Sequence, residues 1–299
     1  MERSLTIKLE GKVALVTGGG KGLGRAISLA FAREGADVAM AARTKSPLEE
    51  TAEEIRKMGR RAYPFVADIS DEDQVNEFVS SAVSYLGRID ILVNNTGIAG
   101  PTVPVANLAM EDWDRVLAVN LTGAYLCAKA ALKHMIKNKS GNILNISSTA
   151  GIKGLWRRAP YVVSKSGILG LTKTLALEVG VHGIRVNAIC PGPVEGERMD
   201  RVFRARAKAM GISPDMARKR AMDEAALRRL VSPEEVARTA VFLASSDSEG
   251  ITGQVIRVDA GIEKSRDLTF SRAPYPDTCT AEPQRYGRQG LFPPLPNQR

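Results

Sequence analysis

The sequence predicts a doubly wound α/β fold, with a parallel seven-stranded sheet, helices on both faces and a small helical lid insertion. Three observations carry that reading. Short β-rich apolar runs alternate with stretches of helical periodicity, the pattern of βαβ units whose sheet is covered on both sides. The first run, "KVALVT" at 12 to 17, ends in a glycine cluster that opens the amphipathic "RAISLAFAREGA", which reads as strand, tight loop, helix. At 299 residues, 44% apolar and 25% charged, the chain affords one large core.

The remaining elements follow in order. "DVAMAA" at 37 to 42 is a second strand, and a helix from about Pro47 to Met58 follows it, with proline well placed in a first turn. "AYPFVA" is a third strand, with a helix after Asp71, and "DILVNN" a fourth, with a long helix from about Trp113. "NILNIS", "IRVNAI" and "GQVIRV" complete the sheet, separated by helices near 160 to 181 and 233 to 244. Between Gly196 and Leu230, Met199, Val202, Phe203 and Met210 recur at helical spacing among many Arg and Lys. That stretch is too polar on one side for central core. It reads as an inserted helical pair at the edge of the sheet where open α/β folds bind ligands. Residues 1 to 262 are therefore one domain with a lid at about 195 to 230. The Pro-rich, aperiodic residues 263 to 299 read as an extension, weakly structured or interface-forming.

Composition narrows the function classes. No apolar run reaches the ~18 to 20 residues needed to cross a bilayer, and the first residues lack a signal-peptide pattern, so the expected location is cytoplasmic. Cys127, Cys190 and Cys279 show no CxxC spacing and have only two histidines for company, which argues against a disulfide framework and a zinc site. A net charge of +9 suits an anionic cofactor or an acidic carrier. Without a basic patch interleaved with aromatics, it does not indicate nucleic acid.

Two short motifs carry chemistry. Tyr161 and Lys165 in "YVVSK" stand at i and i+4, on one face of a helix. A fixed cation there favours phenolate over a phenol of ordinary pKa about 10, giving a tuned proton donor; the plain alternative is a half-buried tyrosine beside a solvated lysine. "TGGGKGLG" at 17 to 24 follows a strand and opens a helix, the context that indicates dinucleotide binding. Gly18, Gly22 and Gly24 let backbone approach a pyrophosphate, and the helix N-terminus offers free N–H groups to it.

With "NNTG" at 94 to 97, Asn120 within "LAVNLTGAY", "NISSTAG" at 145 to 151 and "PGPV" at 191 to 194, these motifs together resemble the short-chain dehydrogenase/reductase family over roughly residues 8 to 262. The resemblance implies a Rossmann-type fold and an NAD(P)-dependent enzyme acting on CH–OH groups. It also implies roles for individual residues. Tyr161 is the acid-base residue, and Lys165 lowers its pKa and binds the nicotinamide ribose. Ser148, thirteen residues before Tyr161, bonds the substrate oxygen, and Asn120 holds a water that continues the proton path. The cofactor would contact Gly18, Gly20, Lys21, Gly22, Leu23, Gly24, Arg43, Asp68, Ile69, Asn95, Gly97, Pro191, Gly192 and Val194 as well as Tyr161 and Lys165.

Other readings stay open beside these. Ser147 reads as a backbone-bonding strand-end serine, Asn94 as structural, Cys190 as packing, and Asp68 as an adenine contact or a helix cap. The second strand ends in Ala42 and Arg43 rather than a carboxylate, and Lys21 adds a second cation; this favours NADP, with NAD the alternative. The stretch "IKGLWRRAP" must pass the mouth of any pocket shared by Ser148 and Tyr161. Trp156 would supply an apolar wall there, and Arg157 with Arg158 would meet a substrate anion, reinforced by Arg198, Arg201 and Arg204, or else these arginines are solvated. The expected substrate is a small carbonyl or alcohol. Reduction of a 3-oxoacyl group on a carrier protein, met by Lys137, Lys139 and His182, is the alternative, and a dinucleotide-binding scaffold or sensor is the non-enzyme one. Family members commonly pair through the helices that here begin near Trp113 and Pro160, with a second contact near the last strand, which implies a homotetramer.

Overall fold

The computed structural model describes residues 7–262; the reading of 263 to 299 as an extension lies outside them. Strands rich in Val, Ile, Leu and Ala without polar alternation must be covered on both faces, and β1 (Val13–Thr17) is buried at every position. With β2 (Asp37–Ala42), β3 (Ala62–Val66), β4 (Ile91–Asn94), β5 (Gly141–Ile146), β6 (Ile184–Pro191) and β7 (Val255–Val258) it forms a seven-stranded sheet in the order β3-β2-β1-β4-β5-β6-β7. Every pairing is parallel. The chain builds outward from β1 to β3, then returns to lay β4 on the other side of β1. That reversal opens a crevice beyond the carboxyl ends of β1 and β4.

Helices fill both faces. On one side α1 (Gly22–Arg33), α2 (Lys45–Lys57) and α10 (Pro233–Ala244) bury Ile27, Phe31, Leu48, Ile55 and Val236 against the sheet. On the other, α3 (Glu72–Leu86), α5 (Gly123–Asn138) and α7 (Ala159–Val179) bury Phe78, Val79, Met135 and Val179. Helix ends follow local chemistry. Asp71 accepts from the Asp73 and Gln74 amides at the start of α3, and Ser232 with Glu235 forms a capping box on α10.

Three details differ from the sequence reading. The helix after β2 begins at Lys45, so Pro47 sits inside its first turn. The helix expected from Trp113 starts earlier as α4 (Met110–Leu117) and runs into α5 through a five-residue π turn, Ala118–Thr122. A short α6 (Ala150–Lys153) follows β5; four residues are too few for periodicity to reveal. Between β6 and α10, α8 (Glu197–Met210) and α9 (Pro214–Asp223) pack on a small cluster of their own, Phe203, Ala207, Ala217, Ala221 and Leu230.

Candidate active site

The first half of the site is the glycine turn after β1. Gly18 and Gly22 have φ of +69° and +51°, which L-residues with a Cβ rarely adopt. At Gly24 a Cβ would stand 2.1 Å from the Gly18 carbonyl oxygen and 2.5 Å from Asn95 Nδ2, so only glycine lets the helix start this close to the turn. Helix α1 begins with no side-chain cap and no acidic residue in its first turn. Its leading N–H groups are therefore unclaimed by its own side chains and face a crevice suited to an anion.

That crevice has about 320 Å³ of free volume, with Gly18, Gly20, Lys21, Arg43, Asp68, Ile69 and Gly97 among its lining. Lys21 and Arg43 are exposed at its rim. Arg43 lies 3.8 Å from Asp68. The Asp68 carboxyl accepts from the Ser70 hydroxyl at 2.6 Å and from its amide at 3.0 Å. These bonds, with Arg43 beside it, hold it below the usual carboxylate range. Asp71, not Asp68, caps the helix. An uncapped helix start, a close-approach turn and rim cations together fit a nicotinamide dinucleotide.

Other residues expected to touch the cofactor serve the frame of this crevice. Asn95 Nδ2 donates to the Thr17 carbonyl at 2.9 Å and its amide to Thr17 Oγ1 at 3.0 Å, bracing the glycine turn against β4. Leu23 packs against the core. Pro191 ends β6, Val194 makes a parallel bridge with Val231, and Gly192 lines the neighbouring cleft. Thr17 was not singled out from the sequence. Its place just before the first glycine of the turn is the signal that marks it.

The second half lies around the start of α7. Ser148, Tyr161, Trp156, Arg158, Gly192 and Arg198 are among the residues lining a second cleft with about 150 Å³ of free volume. Ser148 sits just past β5, its hydroxyl accepting from the Ala150 amide at 3.1 Å, and Tyr161 stands one turn into α7. Lys165, one further turn on, is only 4% exposed, and its Nζ donates to the Ile146 carbonyl at 2.7 Å. Burial, with the charge of Arg198, pushes its ammonium down to about 7, against a small opposing effect of Cys190. Ser147 Oγ donates to the Lys165 carbonyl at 2.7 Å, fixing α7 to the end of β5.

Asn120 occupies the π turn, a feature that often marks functional positions. Its Oδ1 accepts from the Ile98 amide at 2.7 Å, and its Nδ2 donates to the Ile98 carbonyl and to Ser164 Oγ, both at 3.0 Å. A Cβ on Gly97 would meet Asn120 Oδ1 at 3.2 Å and Lys165 Nζ at 3.4 Å. Asn120, Lys165 and the cofactor crevice thus converge at Gly97. Behind them Asn94 Nδ2 donates to Asn145 Oδ1 and to the Ala124 carbonyl, which makes it a strut between β4, β5 and α5.

The two neighbouring arginines diverge. Arg157 has φ of +56° and lays its guanidinium over the Trp156 ring, 4.1 Å from the centroid; it is not among the cleft-lining residues. Arg158 turns inward, 5% exposed, with its guanidinium carbon 5.3 Å from the Tyr161 ring centroid. The acidic-carrier candidates lie elsewhere. Lys137, Lys139 and His182 precede the starts of β5 and β6, at the opposite edge of the sheet from both clefts. Among the described residues Cys127 and Cys190 are free and buried, no cluster of His, Cys, Asp and Glu could hold a metal ion, and no helix is long and apolar enough to cross a membrane.

Comparison with known proteins agrees with this geometry. A family model described as enoyl-(acyl carrier protein) reductase matches residues 18–263. The chain is 40% identical over 256 residues to the 3-oxoacyl-[acyl-carrier-protein] reductase FabG of Thermotoga maritima, covering 86% of this chain and 99% of that one. To glucose 1-dehydrogenase 2 of Bacillus subtilis it is 37% identical, over 85% and 95% of the two chains. Among solved structures, NAD+-bound xylitol dehydrogenase superposes with a TM-score of 0.83 at 35% identity, covering 85% of this chain and all of the other. With the sheet order, the glycine turn and the grouping of Ser148, Tyr161, Lys165 and Asn120 in place, these likenesses establish that the chain belongs to the short-chain dehydrogenase/reductase family and is an oxidoreductase acting on CH–OH groups.

Proposed function

We propose that the chain interconverts a secondary alcohol and a ketone with NADP, using Tyr161 as the acid-base group. The observation that carries this reading is the convergence of Tyr161 and Ser148 in one small cleft with Lys165 buried behind them. When bound, the nicotinamide supplies or accepts the hydride at the substrate carbon. Ser148 Oγ orients the substrate oxygen. The Tyr161 hydroxyl gives that oxygen its proton in reduction and takes it back in oxidation. In its protonated form Lys165 steadies the charge that forms on the phenol, and Asn120, fixed on Ile98, holds the inner end of the path by which the proton is replaced.

Three further readings go with it. The rim cations Lys21 and Arg43, with Ala42 where a carboxylate would repel a 2′-phosphate, support NADP over NAD. Exposed apolar side chains on α5 and α7, Tyr125, Val163 and Leu177, support pairing through those helices into a homotetramer, which light scattering tests by mass. The cytoplasm is the expected compartment. A second reading, 3-oxoacyl-carrier reduction, draws on the likeness to the Thermotoga maritima relative.

The deciding experiment follows nicotinamide absorbance for secondary alcohols and ketones, and for a 3-oxoacyl group free and on a carrier protein, with NADPH and NADH. Turnover that prefers NADPH and a free small substrate fits the proposal. Turnover only of the carrier-bound group selects the second reading, and cofactor binding without turnover of anything selects a scaffold.

A further inference from the structure

Among the described residues, Arg158 is the arginine that the fold takes out of water beside the reacting centre. Its side chain is nine-tenths buried and more, yet among the described residues its Nε has no hydrogen-bond partner. One Nη donates to the Ala99 carbonyl, which anchors the group without neutralising it. A buried N–H left unpaired is costly, and more so when the group is charged, so the position calls for an acceptor. No carboxylate among the described residues meets it. The acid lining the same cleft, Glu224, is engaged by Lys153 at 3.6 Å and Arg206 at 4.0 Å.

The surroundings are cationic beyond this one group. Arg198 lines the same cleft as Arg158 and pairs with no carboxylate among the described residues. Burial holds Arg158 and Lys165 below their ordinary range, and the charge of Arg198 adds to the effect on both, against an opposing one of Tyr161 on Arg158. Arg158 and Arg198, neither paired with a carboxylate among the described residues, line one small space, and an anion bound between them would relieve their mutual repulsion. The free volume of about 150 Å³ is of the size that holds a benzene-sized body.

We propose that Arg158, whose Nε lacks a partner, together with Arg198 of the same cleft, binds the carboxylate of a short hydroxy or oxo acid whose reacting carbon lies at Tyr161. The guanidinium carbon is 5.3 Å from the Tyr161 ring centroid, so the carboxylate sits only a few bonds from that carbon, as in a 2- or 3-hydroxy acid. A planar fork matches a planar carboxylate, which gives orientation as well as affinity. Arg157, stacked on Trp156, has no part in it. The proposal names the substrate class of the oxidoreductase site and rests on that reading.

The test pairs 3-hydroxybutyrate, acetoacetate, lactate and pyruvate with their methyl esters. Binding is measured by calorimetry without cofactor and kcat/KM with cofactor, in wild type, Arg158→Gln, Arg158→Lys and Arg157→Ala. At least one acid is expected to bind and turn over at least tenfold better than its ester. Arg158→Gln should remove that preference, a loss on the order of tenfold to a hundredfold for a charged hydrogen bond. Arg158→Lys should keep part of it, and Arg157→Ala all of it. Esters matching or exceeding their acids in wild type, no acid bound at all, or an acid preference untouched in Arg158→Gln would each overturn the proposal. Turnover of neutral alcohols without any acid preference would refute the carboxylate site and leave the oxidoreductase intact. Acid binding without hydride transfer to or from any compound would instead refute the proposed reaction.

Discussion

Replacing Lys165 with methionine removes a charge that the fold has buried almost completely, and the consequence for stability depends on pH in a defined direction. The folded-state ammonium titrates at about 7 against an ordinary value of 10.5. Below pH 7 both folded and unfolded chains hold the proton, and the folded chain bears the whole cost of burying it. Between 7 and 10.5 the unfolded chain keeps a proton that the folded one has released, so wild-type stability rises with pH. Above 10.5 the cost is gone. At about 1.4 kcal/mol per pH unit the gap amounts to at most about 5 kcal/mol. Lys165→Met escapes this cost and loses the bond to the Ile146 carbonyl, worth about 1.5 to 3 kcal/mol while the donor is charged and about 1 kcal/mol once it is neutral, a smaller change than the titration itself. The stability of the variant relative to wild type should therefore fall by about 4 kcal/mol from pH 7 to 10. Urea denaturation followed by circular dichroism, without cofactor and at fixed protein concentration, reads this directly. A difference that stays flat or grows with pH would show that Lys165 is not held neutral by burial.

Three further outcomes are expected. Tyr161→Phe keeps fold and cofactor affinity and lowers kcat on the order of 10² to 10⁴, the usual contribution of an acid-base group; near wild-type turnover would assign the proton to another residue. Ala42→Asp with Arg43→Leu moves the ratio of NADP to NAD dissociation constants toward NAD, by on the order of a few kcal/mol for charges near a surface, and a wild type that already prefers NAD contradicts the rim-cation argument. Gly24→Ala drives a methyl group to 2.1 Å from the Gly18 carbonyl oxygen, costing about 1 to 3 kcal/mol of stability and at least about tenfold in NADPH affinity by calorimetry. A variant with unchanged affinity would show that the turn yields at low cost.

Much of this was legible because the signals are local. Buried parallel strands read as continuous apolar runs, and glycine needed for close approach leaves a fixed spacing, so the βαβ order and the turn at Gly18 to Gly24 could be taken from the sequence. Tyr161 and Lys165 share a helix face by periodicity alone. What escaped depends on tertiary placement. Asn95 and Thr17 brace the turn across β1 and β4, seventy-eight residues apart, and no spacing rule encodes that contact. The roles of Arg157 and Arg158 could not be separated either. The left-handed backbone at Arg157 turns one outward and the other inward, and nothing in "WRRAP" announces a positive φ at a non-glycine. That Lys139 and His182 stand before β5 and β6, at the end of the strands away from the clefts, also follows from strand direction and not from any spacing in the sequence.

The stack of Arg157 on Trp156 also gives the cleft an optical handle. The chain holds two tryptophans; Trp113 lies on α4, while Trp156 lines the cleft, 51% exposed. Any molecule that enters must dry that indole or shift the guanidinium lying over it. Its emission changes in either case, so substrate arrival can be timed separately from the hydride step. In a Trp113→Phe background the whole signal belongs to the cleft, and a stopped-flow trace then distinguishes slow entry from slow chemistry before the natural substrate has been identified.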